Sequence, residues 1–418
     1  MNTYFLIAIT VFLASEPAEP EKHEWRGTDR TGVYMESGLL KSWPAEGPSE
    51  LWSISNIGNG FASPVFTEKN FYITGERDSM SVLYCFDLSG KKIWQTTLGK
   101  EWVKTTRGAR SCPTVTDKHI YIGTGLGDLY CTDRETGKII WKKDMTRDFG
   151  GVLPLHGHSE APLISEDKVF WTPGGKEHNV VALNRFTGKL LWSHSGFGER
   201  SGYNSPNLIE LPGRKILVTF SAYHLMGFDT ETGKLLWSQE QDTYPPDKRI
   251  PGNGDTHANT VLFDNGSVYY AEGDGNCGVK LKLSDDGSSI SEVWRNRGFD
   301  GYMGGIVKIG DYIYGCSTQS PEIRSVNATT GMLADSLKAG SGAVIAADKM
   351  LYYYNYKGEM MLLAINDGKI SKVSSFKITK GTNQHFSHPV IHKGVLYLRH
   401  GDVLIAYDIM NKKAVSAV

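Results

Sequence analysis

Apolar residues in this chain fall in short runs. Examples are Ile120-Tyr121-Ile122, Val268-Tyr269-Tyr270, Tyr312-Ile313-Tyr314 and Val395-Leu396-Tyr397. Each run is bounded by Gly, Asp, Asn or Ser, which is the pattern of β-strands and tight turns. A small residue, often followed by Pro, opens many units: Ser63-Pro64, Cys112-Pro113, Ala161-Pro162, Ser205-Pro206, and His388-Pro389 in the last. Proline at the first residue of a strand loses no ladder hydrogen bond. Gly342-Ala343-Val344 and Ala258-Asn259-Thr260 fill the same slot without Pro.

A second phrase closes the units. It reads Asp or Asn, a turn ending in Gly-Lys, two apolar residues and Trp. It occurs at Asp87–Trp94, Asp133–Trp141, Asn184–Trp192 and Asp229–Trp237. Weaker copies lie at Trp294, Asn327 to Gly331 and Asn366 to Lys369. The side chain of Asp or Asn caps the turn and Gly supplies the positive φ that closes it. The repeat tryptophans Trp52, Trp94, Trp141, Trp192, Trp237 and Trp294 are 42 to 57 residues apart. That period matches four-stranded propeller blades. First strands begin near Ser63, Cys112, Ala161, Ser205, Ala258, Gly304, Gly342 and His388, which predicts an all-β, eight-bladed propeller of antiparallel blades. Degenerate sixth and seventh copies leave seven blades as the alternative. The last unit lacks its Trp strand, while Leu51-Trp52 stands alone, so an N-terminal strand is expected to close the ring.

Composition agrees. The 418 residues are 40% hydrophobic and 11% aromatic, with 47 glycines. A net charge of -1 gives nucleic-acid binding no electrostatic support. Tyr4 to Ala14 is apolar except for Thr10, too short to span a bilayer. It reads as a signal peptide over 1–15, against the alternative of a frayed apolar terminus, so the protein is expected to be exported, periplasmic or secreted. Residues 16–49 read as linker and N-terminal lead, and 50–410 as the propeller. The five cysteines form no CxxC, and Cys85 and Cys131 read as small buried hydrophobes.

These phrases resemble the pyrroloquinoline-quinone-like (PQQ-like) propeller repeat. The entry Trp25-Arg26-Gly27-Thr28-Asp29-Arg30-Thr31-Gly32, with Leu39-Leu40-Lys41-Ser42-Trp43-Pro44, is similar to the lead of a bacterial exported subgroup. The resemblance implies the fold and leaves activity open. The family joins quinone-dependent alcohol dehydrogenases to propellers that bind no quinone, the outer-membrane-assembly scaffold among them. The dehydrogenases imply an adjacent-cysteine disulfide, calcium ligands and an Asp base. No adjacent cysteines occur here, and no residues match the other two.

Propeller ligands sit where loops converge on the axis. The slots before the first strands hold Arg110, His158, Tyr203, Asp255, His257, Tyr302, His385 and His388, with Arg107, His156 and Arg200 slightly further out. Arginine suits a carboxylate or phosphate, and histidine suits a metal or proton transfer. A wet, polar channel mouth is the plain alternative. His156 and His158 alternate, which would put both rings on one side, with His257 or His385 as a third metal ligand. Turn hydrogen bonding is the competing account. Glu272 to Asn276 resembles half a calcium loop, but Leu283 stands where Glu is needed.

No catalytic residue is assigned. The leading expectation is a non-catalytic, monomeric scaffold without a transmembrane segment, binding a protein partner or small polar ligand without a cofactor. The alternative is a dehydrogenase using PQQ with calcium on an alcohol or sugar. A third reading, a glycan-binding or glycan-cleaving propeller, would need facing carboxylates, and Asp255 is the one obvious member.

Overall fold

The computed structural model describes residues 21–241, 244–273 and 277–412. The signal-peptide stretch 1–15 and the Asp274–Asn276 part of the calcium-like loop lie outside these residues. Eight sheets form an eight-bladed propeller. Blades 1 to 7 each run in chain order from an inner to an outer strand: blade 1 from Val65–Phe66 to Lys92–Lys100, blade 7 from Gly342–Ala347 to Lys369–Lys377. Blade 8 takes Val390–His392, Val395–His400 and Val403–Asp408 from the C-terminal side. Its outer strand is Ser49–Ile54, antiparallel to Val403–Asp408, with Trp52 opposite Ala406. The ring therefore closes through the strand that the lone Leu51-Trp52 announced.

The repeat phrase has two jobs. In the first, Asp133 Oδ1 accepts from the Thr136 backbone and hydroxyl, and Asp229 does the same with Thr232. In the second, the glycine makes room for the preceding blade. A Cβ on Gly137, Gly188, Gly233 or Gly331 would stand 2.5–3.0 Å from the indole of Trp94, Trp141, Trp192 or Trp294 respectively. Three of those indoles also donate across the blade boundary, Trp141 to the Arg185 carbonyl, Trp192 to Thr230 and Trp294 to Ala328. Trp52 repeats the arrangement at the closure, against Gly90 with its Nε1–H on the Leu88 carbonyl at 3.2 Å. Trp and Gly of the phrase thus belong to one interface between neighbouring blades. All five cysteines are buried thiols outside any disulfide.

The inner strands present unpaired backbone edges to the central channel, and such groups need partners. The lead supplies them, so the described part of the segment read as linker is packed structure. Lys22–His23 pairs with Thr116 and Val115 of blade 2. Val33–Tyr34 runs parallel to Ala346–Ala347 of blade 7. Between these contacts the chain crosses the channel. Arg26, 1% exposed, donates to the carbonyls of Ile306 (2.6 Å) and Val344 (3.1 Å) in blades 6 and 7. Arg30, 0% exposed, donates to Ala161, Pro162 and Pro206 at the inner edges of blades 3 and 4. Glu24 lies 2.9 Å from Arg30 and balances its charge. One segment thereby bridges opposite sides of the ring.

Candidate functional site

A cavity of about 290 Å³ opens at the end of the channel where the inner strands begin. Trp25 of the lead closes it from within the channel, and segments preceding the first strands of the blades form its wall. The lining follows an alternation. Phe61, Arg110, Ser159, Tyr203 and Phe386 each stand three residues before a repeat proline, and all five line the cavity. Cys112, Ala161, Ser205 and His388, one residue before it, line it as well. In extended chain, alternate side chains face alternate sides. Positions four before the proline therefore point into the wall.

This alternation sorts the predicted residues. Arg110, His156, Tyr203, Tyr302 and His388 line the cavity. His158 and His385 hold the fourth position and do not. His158 is fully buried against Trp171, ring centroids 4.4 Å apart, with Nε2 3.2 Å from the Thr172 carbonyl. Burial pushes its pKa down to about 4. His385 stacks on His400 at 3.6 Å and shares a hydrogen bond with the Tyr354 hydroxyl. His257 is buried flat on Phe220, 4.5 Å between centroids. The proposed pairing of His156 with His158 on one side fails because Gly157 turns the chain at φ 82°. Among the described residues, no three His, Cys, Asp or Glu side chains form a group able to hold a metal ion.

The remaining charged candidates are consumed by ion pairs. Arg107 forks onto Glu76 with two contacts of 2.7 Å. Arg200 Nε lies 2.8 Å from Asp255 Oδ2, and its Nη2 reaches the Tyr223 hydroxyl. Asp255 is 1% exposed, also accepts from the Gly252 amide, and does not line the cavity. His388 lines the cavity with both ring nitrogens engaged, Nδ1 by Arg26 and Nε2 by the Met303 carbonyl, each at 2.8 Å. Burial first, and Arg26 second, hold its pKa down to about 3.

Sequence reasoning missed the aromatic members Trp25, Phe61 and Phe386. Phe61 and Phe386 pack together with centroids 5.5 Å apart. Their signal was the constant offset from the proline, which polar residue type alone does not reveal. Among the described residues, the lining contains no Asp or Glu. It also does not fit a calcium-bound quinone. A quinone tricarboxylate needs several cationic or amide partners and a metal cage, whereas the described wall offers one arginine and two imidazoles, His388 already engaged at both nitrogens, among aromatic and small side chains.

The eight-bladed propeller of repeated four-stranded blades defines the fold class of this chain. The family described as outer membrane protein assembly factor BamB matches residues 79–334. The chain belongs to this family, and the PQQ-like character read from the repeat is borne out. BamB of Yersinia pestis is 22% identical over 351 residues, covering 78% of this chain and 80% of that protein. A quinoprotein ethanol dehydrogenase of Pseudomonas aeruginosa is 28% identical over 158 residues, 34% of this chain and 24% of the enzyme. The chain thus spans about a quarter of that dehydrogenase. Among solved structures, BamB from Moraxella catarrhalis superposes with a TM-score of 0.61 at 15% identity, over 86% of this chain and 97% of that one. A europium-containing methanol dehydrogenase gives 0.52 at 14%, over 89% and 88%. Both share the fold.

Proposed function

We propose that this protein is a non-catalytic binding propeller, a scaffold for a partner protein or a receptor for a small ligand at the channel mouth. One observation carries the reading. The cavity is lined largely by aromatic and small residues; of its two imidazoles His388 is held through both nitrogens and His156 through Nδ1 by the Thr105 hydroxyl, while Asp255, outside the lining, is paired with Arg200. A proton-transfer role needs a group free to exchange a proton with a bound substrate. Coverage of most of the length of a BamB relative supports the same reading. Membership of a family named for outer-membrane assembly supports export, and no helix among the described residues is long and apolar enough to cross a membrane.

The test is enzymatic. Purified protein is incubated with pyrroloquinoline quinone and calcium, then supplied with alcohols and sugars and an electron-accepting dye. The expected result is no dye reduction above a quinone-only control. Turnover that depends on the protein would replace this reading with the dehydrogenase.

A further inference from the structure

Among the described residues, Arg110 is the one side chain of fixed charge in the cavity wall. Three of its N–H groups are directed to its own surroundings: Nε to the Gly108 carbonyl, Nη1 to His156 and Nη2 to Thr106. A guanidinium has five donors, so Nη1 and Nη2 each keep one hydrogen. Two parallel N–H groups on one fork match the two oxygens of a carboxylate. The acid nearest in effect, Glu101, is 2% exposed, and its Oε1 accepts from the Trp102 and Gly125 amides. The loop carrying Arg110 is held in an unusual shape, since Thr106, a β-branched residue, sits at φ 48°. Strained backbone of that kind persists where the surroundings enforce it, and it clusters at ligand sites.

The rest of the wall is mainly aromatic, with small and hydroxyl side chains and two imidazoles between the rings. Phe61 and Phe386 form one side and Trp25 the base, and in the ring order of blades Tyr203 stands opposite Phe386 and Tyr302 opposite Arg110. A cavity of about 290 Å³ lies at the small end of ligand pockets, enough for one or two rings. We infer that the channel mouth binds a carboxylate carried on a compact apolar or aromatic body, with Arg110 gripping the carboxylate and the aromatic walls covering the body. The inference rests on the binding reading given above and specifies its ligand. The carboxylate has two sources: a free small acid, or the C-terminal carboxylate of a polypeptide ending in an aromatic residue.

The test is calorimetric titration of the full chain with 3-phenylpropionate and with a tetrapeptide ending in free-acid phenylalanine. The amide of each serves as the comparison. At least one acid is expected to bind saturably, and its amide about 10-fold more weakly or worse, as loss of a charge-assisted pair requires. Tighter binding of the peptide assigns the site to a chain terminus; tighter binding of the small acid assigns it to a free ligand. Arg110→Gln should remove the acid-over-amide preference. Arg110→Lys, which keeps the charge and loses the fork, should retain part of it, and both variants are checked for wild-type melting. Equal affinity for acid and amide, or no binding of either acid, overturns the inference. Those results leave the non-catalytic reading standing, because that reading falls only to quinone-dependent turnover.

Discussion

Arg26 Nη1 lies 2.8 Å from Nδ1 of His388, and this contact joins the plug of the channel to the wall of the cavity. Arginine only donates, so Nδ1 accepts and the ring proton resides on Nε2, where it meets the Met303 carbonyl. His388 is thereby fixed as a neutral tautomer that orients both the lead and the cavity rim. The chain segments involved are 362 residues apart.

Replacing Arg26 with Met removes donors from the Ile306 and Val344 carbonyls and from His388 at once. Buried acceptors left without partners are costly, so Arg26→Met should destabilise the fold by about 3 kcal/mol or more. Urea denaturation followed by tryptophan fluorescence measures it. A loss below about 1 kcal/mol would mean that the plug is dispensable.

Stability should peak close to pH 6.5. Burial raises Glu160 to about 8 and Glu101 to about 7, so folding takes up protons on these acids. Their favourable contribution is complete below the ordinary carboxylate range and is lost as pH rises through 7 to 8. The histidines act in the opposite sense. His388 is lowered to about 3, and His158, His257 and His385 to about 4, chiefly by burial. Their neutral forms stabilise the fold above pH 6.5, and that stabilisation is lost as pH falls toward 3 to 4. From pH 8 to 6.5 the acids act alone, and each changes stability by about 1 kcal/mol per pH unit at most. Glu160→Gln should raise the melting temperature at pH 8 more than at pH 5. An equal shift at both would contradict the assignment.

The Trp–Gly interface predicts a contrast between two glycines of blade 4. Both have positive φ, Gly233 at 69° and Gly213 at 75°. A Cβ on Gly233 would meet Trp192 at 2.6 Å, whereas one on Gly213 meets nothing within 4 Å. Gly213→Ala should cost about 1 kcal/mol, from the backbone alone. Gly233→Ala adds displacement of the indole and should cost about 3 kcal/mol. Equal losses in denaturant titrations would show that the glycine serves only the turn.

The closing strand offers a further check. Trp52 stacks on Phe71 of blade 1, 5.8 Å between centroids and 8° apart, while its own strand belongs to blade 8. Trp52→Ala should lower stability by about 2 kcal/mol and speed proteolysis near residues 49–54. Unchanged protease resistance would argue that ring closure does not depend on this residue.

The blades and their closure could be read from the sequence because each unit repeats a local rule: a capped turn, a glycine and a tryptophan. The plug could not. Arg26 and Arg30 stand in a polar stretch that looks solvated, and their carbonyl partners are brought near only by the completed ring, over separations of 131 to 318 residues. At the channel mouth the slots were visible but the facing was not. Arg110 and Tyr203 line the cavity while His158 and His385, one residue earlier in the same slot, enter the wall. Likewise nothing local to Arg200 shows that Asp255 will neutralise it.

The most direct measurement is calorimetric titration of the purified full chain with pyrroloquinoline quinone in the presence of calcium. The account predicts no saturable binding that calcium strengthens. Stoichiometric, calcium-dependent quinone binding would contradict it.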